Sequence, residues 1–249
     1  LRSGLPKVPA GVRDEAGGLV DVKTPATAEI EIIRSRMIAG QAVEATKLYI
    51  VAAPRYVPYI GGWLARRANG LSDREHPAQA MADYFTLWER APHLSQIRLA
   101  WIGDGNNVCH SVLLLGALLG TRMVVATPPG YEPAPAILDA CRGLGAKIEQ
   151  TTEARDAADG ADVIYTDAWV CMGQEAERER RHEAFQRYQV NEALLRFAPR
   201  ALVMHCLPAH RGEEVTDPVL DGPQSVILDQ AENRLHAQKA VILHLLGGD

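Results

Sequence analysis

Arg98-Leu99-Ala100-Trp101-Ile102-Gly103-Asp104-Gly105-Asn106-Asn107 decides the fold. A short apolar run reads as a strand, and Gly103 and Gly105 punctuate a turn. The apolar stretch from Asn107 to Leu119 then reads as a helix, with an Asn side chain suited to cap it. The same strand-then-helix unit recurs downstream. Strands are expected at 123–126, 146–150, 162–166, 201–205 and 225–228. Helical segments are expected at 134–144, 154–158, 175–188 and 232–246. Such alternation implies βαβ units and an α/β fold, a parallel sheet with helices on both faces. In sheets of this kind ligands bind beyond the carboxyl ends of the strands. Asp104, Asp167 and Cys206 each follow a predicted strand, so the pattern gathers them at one rim.

Upstream, residues 1–17 are rich in Gly, Pro and charge. A short strand at 19–22, a helix at 28–43, a buried strand at 47–53 and a helix from Pro54 to about Arg67 follow. A turn at Asn69–Asp73 leads to a linking helix from Pro77 to Glu89. The run from Glu175 to Tyr188 is strongly charged and reads as a solvated helix face.

The 249 residues suffice for one large domain or two small ones. A 47% hydrophobic share with 23% charged residues is that of an ordinary globular chain. Net charge of −5 argues against a nucleic-acid surface. No apolar run reaches the roughly 20 residues of a membrane span, and the first residues lack a signal peptide's apolar core. No membrane partner and a cytoplasmic location are therefore expected. The four cysteines are widely spaced without a CxxC pair, which suits buried thiols in a reducing compartment.

Each polar position admits a structural and a functional reading. Gly103-Asp104-Gly105-Asn106-Asn107 lacks the third glycine of a dinucleotide fingerprint, since Val108 stands there. It is a capped glycine turn, or an amide placed to bind a carboxylate or amide at a helix start. Asp167 is a helix cap, or the partner of a substrate amine. Cys171-Met172-Gly173 is a loop whose glycine permits close approach to a ligand. Cys206 is a thiol with no base identified by spacing. His205 and His210 lack a third ligand at suitable spacing, so no metal is expected. Arg234 is an exposed salt-bridge residue or an oxyanion clamp. His76, with Gln79 one turn on, is a helix start or a hydrogen-bond donor to a carbonyl gaining charge.

Taken together, Gly103–Asn107, Asp167 through Met172-Gly173-Gln174-Glu175, Tyr188-Gln189-Val190-Asn191, His205-Cys206-Leu207-Pro208 and Ala231-Glu232-Asn233-Arg234 resemble the ornithine carbamoyltransferase family. The resemblance runs from about Asn69 to Leu246. It implies two Rossmann-like lobes, the N-terminal one reduced here. Residues 1–90 would form the carbamoyl-phosphate-type domain and 91–230 the ornithine-binding domain. A C-terminal helix, 231–249, would pack back on the first. It implies that Asn107, Asp167, Cys171 and Met172 contact ornithine, with Cys171 where the family has Ser. Cys206 and Leu207 would lie near the reacting carbonyl and amine. His76, Gln79 and Arg234 would face carbamoyl phosphate. No cofactor is implied, and a homo-trimer is.

The front departs from the family pattern. After Lys23-Thr24 the family's Ser-Thr-Arg-Thr-Arg is replaced by Pro25-Ala26-Thr27-Ala28-Glu29. Two charge-assisted phosphate contacts, each worth roughly 1.5–3 kcal/mol, are thereby lost. An Arg-Thr pair that the family carries is also missing, with Arg55 a poorly aligned substitute. Residues 41–68 are several tens fewer than the family places between the flanking segments. The sequence therefore predicts an ornithine-type carbamoyltransferase with weakened carbamoyl phosphate binding. The alternatives are a repurposed enzyme keeping the amino-acid pocket, or a non-catalytic amino-acid-binding homologue.

Overall fold

Strands interspersed with helices make up residues 75–91, 93–170 and 175–245, which the computed structural model describes. The expected elements before residue 75, the altered phosphate motif at 23–29, Arg55, and Cys171-Met172-Gly173 all lie outside these residues. Helix α1 (Pro77–Arg90) precedes strand β1 (Arg98–Ile102) and helix α2 (Asn107–Leu119). Strand β2 (Arg122–Ala126), helix α3 (Pro135–Gly143) and strand β3 (Ile148–Thr151) follow. Next come α4 (Ala154–Ala158), β4 (Val163–Thr166), α5 (Arg178–Phe185) and α6 (Glu192–Leu195). Strand β5 (Leu202–His205), α7 (Asp217–Leu220) and the long helix α8 (Ile227–Leu245) complete the series.

All five strands are parallel, in the order β3-β2-β1-β4-β5. The chain moves outward from β1 to β3, then returns to lay β4 on the other side of β1. The reversal leaves a crevice at the carboxyl ends of β1 and β4, the switch point where doubly wound sheets bind ligands. Gly103 through Asn107 enters it from one side and Asp167 from the other.

Side-chain alternation along each strand builds two cores. Leu99, Trp101, Met123, Val125, Val163, Tyr165 and Met204 face α1, α2 and α3, meeting Tyr84, Leu87, Val112 and Leu138. Ala100, Ile102, Val124, Ile164 and Val203 face the other way, against Ala157, Phe185, Tyr188 and Leu194. Trp101 and Tyr165 are paired across β1 and β4, with ring centroids 4.8 Å apart. Such a buried aromatic pair contributes about 0.5–1.5 kcal/mol beyond its area.

Three expectations need correction. No strand forms at 225–228; Ser225 makes a single bridge to Val203, and α8 begins at Ile227. The β-branched Val226 and Ile227 suggested a strand, but Val226 packs into one core and Ile227 into the other, where the chain turns into the helix. Arg234 consequently sits two turns inside α8 rather than at its start. The charged 175–188 segment is α5 with a short 3-10 turn at either end, and it is not uniformly solvated, because Arg181 is only 4% exposed. Among the described residues no helix is long and apolar enough to cross a membrane.

Candidate functional site

The crevice is shaped first by glycine. A Cβ at Gly105 would lie 2.3 Å from the Pro133 nitrogen and 2.7 Å from the Tyr131 oxygen. Only glycine lets these two loops close, and the Gly105 N–H donates to Tyr131 O at 2.8 Å. That turn serves loop packing, not a dinucleotide phosphate.

Asn106 is the cap of α2. Its Oδ1 accepts from Val108 N at 3.0 Å and Cys109 N at 3.1 Å. With the oxygen so engaged, the amide nitrogen is turned into the crevice and donates to Asp167 Oδ2 at 2.7 Å. Asp167 Oδ1 accepts from its neighbour Ala168 N at 2.7 Å and from the Cys206 thiol at 2.8 Å. Asp167 is 5% exposed. Residues from the ends of β1, β4 and β5 thus meet on one carboxylate. Asn107, the amide expected to bind ligand, is the first residue of α2 and half-buried beside this cluster.

Cys206 and Leu207 leave β5 on a loop held from below. His205 is 1% exposed, and its Nδ1 accepts from Leu207 N at 2.9 Å. Its Nε2 is then the protonated nitrogen and faces Glu214 Oε1 at 3.2 Å. Burial pushes the Glu214 carboxyl up, but hydrogen bonds from His205, His210 and its own backbone outweigh this and hold it below the ordinary range. Leu207 takes a left-handed φ of 57°, rare for a branched side chain, and is 39% exposed. His205 is therefore a loop anchor, and Glu214 is the carboxylate that spacing alone could not supply to it. Asp167, His205 and Cys206 each offer an atom within 4.8 Å of the others, as do His210, Glu213 and Glu214. In the first group Asp167 accepts from the Cys206 thiol, while the His205 ring nitrogens engage Leu207 N and Glu214.

The opposite wall comes from α1 and α8. Pro77 opens α1, and the His76 carbonyl accepts from Gln79 N and Ala80 N. The His76 ring makes no capping bond. Burial, then the charge of Arg234, holds its pKa below the ordinary imidazole value, while Asp167 acts in the opposite sense. The ring is thus within electrostatic reach of both walls and is neutral at pH 7. Arg234 donates through Nη1 to Gln79 Oε1. Its Nε is buried and has no hydrogen-bond partner among the described residues. A buried guanidinium N–H without an acceptor among the described residues is a donor that an oxyanion or carbonyl would satisfy.

The structure therefore assembles Asp167 with Cys206 directly, and His76 with Gln79 and Arg234. Several contributors were not legible as site residues. Arg181 pairs with Asp104 and donates to Trp169 O, tying the loops after β1 and β4 together. Burial lifts the Asp104 carboxyl to about 6, against the pull of Arg181. Asp83, Gln230 and Tyr165 form a buried network behind Gln79. Their signals were present as one-turn spacings, Gln79 to Asp83 and Gln230 to Arg234, on two amphipathic helices.

Sheet order and crevice define a doubly wound α/β ligand-binding domain with its site at the switch point. Comparison with known proteins narrows this. Residues 95–245 match the family model for the aspartate/ornithine carbamoyltransferase Asp/Orn binding domain. The chain belongs to that family. It is 54% identical over 180 residues to an ornithine carbamoyltransferase of Archaeoglobus fulgidus, covering 72% of this chain and 59% of the relative. The solved ornithine carbamoyltransferase of Pyrococcus furiosus is 50% identical with a TM-score of 0.68, covering 73% of this chain and 59% of that one. That of Gloeobacter violaceus is 39% identical with a TM-score of 0.64, covering 84% and 81%. The chain spans about six-tenths of the length of the first curated relatives it matches.

Proposed function

We propose that the chain acts as an ornithine-type carbamoyltransferase, with Asp167 as the anchor of the amino-acid substrate. The carrying observation is the convergence of Asn106, Cys206 and Asp167 at the switch point, facing the Arg234–Gln79 pair and a neutral His76. The relatives' names as ornithine carbamoyltransferases support both substrates, ornithine and carbamoyl phosphate. No observation among the described residues favours another co-substrate.

The division of labour follows from charge. A carboxylate keeps a bound ammonium protonated, so it suits the α-amine, which stays charged, and not the side-chain amine, which must be neutral to attack. Asp167 therefore holds the α-ammonium. Asn107, Cys171 and Met172 complete the amino-acid subsite. The side-chain nitrogen attacks the carbonyl carbon of carbamoyl phosphate, a C–N bond forms, and the C–O bond to phosphate breaks. The nitrogen sheds its extra proton, and phosphate leaves. Arg234 and His76 donate to the carbonyl oxygen as it gains charge, and Gln79 offers its carbonyl to the carbamoyl NH2. Cys206 and Leu207 flank the reacting atoms. Positioning and oxyanion stabilisation carry the rate, without a covalent nucleophile.

Residues 1–90 would supply the phosphate side, residues 91–230 the ornithine side, and assembly would be a homo-trimer. The test is citrulline formation by the purified protein from ornithine and carbamoyl phosphate. Citrulline release that depends on both substrates is the expected result. Saturable ornithine binding without turnover would leave a binding protein in its place.

A further inference from the structure

Two glutamines on facing helices turn their amides toward one oxygen. Gln79 Nε2 donates to Asp83 Oδ1 at 2.8 Å, and Gln230 Nε2 donates to the same atom at 2.7 Å. Tyr165 donates to the other oxygen, Oδ2, at 2.8 Å, and receives Gln230 Nε2 at 3.0 Å. Asp83, Gln79 and Gln230 are 1%, 3% and 0% exposed, so bulk water does not compete for these bonds.

An amide that points its NH2 at a carboxylate must point its carbonyl the other way. The Gln79 carbonyl thus meets Arg234 Nη1. The Gln230 carbonyl meets the backbone N–H of His205 at 2.9 Å, where the loop bearing Cys206 and Leu207 begins. Flipping Gln79 would set its NH2 against the guanidinium, donor against donor, and its carbonyl against Asp83 Oδ1, acceptor against acceptor. One carboxylate oxygen therefore determines what both walls of the crevice receive.

We infer that Asp83 is a positioning residue: by fixing the amide orientations of Gln79 and Gln230 together, it aims the Arg234 guanidinium and anchors the Cys206 loop. The kinetic part of this inference rests on the proposed transferase reading, and the orientation part does not.

Asp83→Asn keeps an oxygen in the Oδ1 place, while Asp83→Leu keeps volume and removes the acceptor. In isotope-labelled protein the Arg234 Nε–H and Gln79 amide signals are expected to shift in D83L and to stay near their native positions in D83N. Citrulline kinetics should show kcat falling about 100-fold in D83L, as expected for a misplaced clamp, with KM for ornithine unchanged and D83N largely restored. Tyr165→Phe removes the Oδ2 partner and one acceptor of Gln230 Nε2 but no contact of Gln79, and should leave the Arg234 signal in place. Unchanged Arg234 and Gln79 signals in D83L, or D83N as displaced as D83L, would overturn the inference. Should D83L fail to fold, hydrogen exchange of the unmutated protein decides: both glutamine amides are expected to be protected, and rapid exchange of either contradicts the network. A wild-type protein making no citrulline would refute the transferase reading and leave the signal test standing.

Discussion

Asp167 accepts hydrogen bonds from an amide, a thiol and a backbone N–H, and each donor arrives from a different part of the chain. Its place was legible because a lone acid ends an apolar strand, and Cys206 was legible for the same reason. The amide that donates to it, Asn106, was not read from the sequence. Asn106 caps α2 and reaches Asp167, while Asn107 starts the helix, and two adjacent Asn residues give no sequence signal for which of them is the cap. His76 carries a pH prediction. Burial and Arg234 lower its pKa, so protonation waits for pH below the ordinary imidazole value of 6.5. On the transferase reading the neutral ring is then lost only on the acid side, where an imidazolium would repel the Arg234 guanidinium beside it. On the proposed transferase reading, the ratio of wild-type kcat to that of a non-titrating variant, which cancels the titration of the substrate amine, is expected to hold from neutral pH down past that value and to fall below it. His76→Gln, which donates without titrating, is that variant. A ratio that falls above the ordinary value, or that does not fall at all, would contradict the assignment.

At the scale of elements, α1 and α8 are joined by a polar seam. Gln79, Asp83, Thr86 and Glu89 on one helix meet Arg234, Gln230 and Asn233 on the other. The helices themselves were readable from apolar spacing, but the seam was not, because partners 147 residues apart leave no local pattern. Asp83 makes the seam pH-sensitive. Burial raises its carboxyl from 3.8 to about 7, against its three hydrogen bonds. Between those values the folded protein keeps a proton that the unfolded chain has lost. Its contribution is therefore complete below about pH 4 and is lost as pH rises through about 7, a span on the order of 4 kcal/mol. Thermal melting should show wild-type stability declining across that window, with a flatter profile in D83N. Parallel profiles for the two proteins would exclude Asp83 as the source.

Helix α5 shows the limit of charge patterning. Its run of Arg and Glu reads as a solvated face, yet Arg181 is buried between Asp104, the Trp169 carbonyl and the rings of Tyr131 and Phe185. No spacing distinguishes the one buried guanidinium from Arg178 or Arg180 beside it. Breaking a buried pair leaves the other charge unpaired. Arg181→Met is expected to destabilise by about 3–5 kcal/mol. Adding Asp104→Leu should recover most of that loss in denaturant unfolding. A double variant as unstable as the single one would mean that Arg181 acts through the Trp169 carbonyl and its aromatic contacts rather than through Asp104.

For the whole molecule, the alternation of short strands and helices was sufficient to give a parallel α/β sheet, and the sheet order then explains why three distant segments share a site. Return of β4 to the side of β1 brings Gly103–Asn107 against Asp167, and β5 beside β4 adds Cys206. That adjacency is a property of topology, which local sequence does not encode. The most direct test uses L-norvaline, which keeps the α-ammonium and α-carboxylate of ornithine but lacks the attacking amine. Titrated calorimetrically into protein saturated with carbamoyl phosphate, it should bind one to one. Asp167→Asn should weaken that binding about 10- to 100-fold, the worth of one charge-assisted contact. Absence of binding, or equal affinity in the variant, would contradict the assignment of the switch-point carboxylate to the amino-acid substrate.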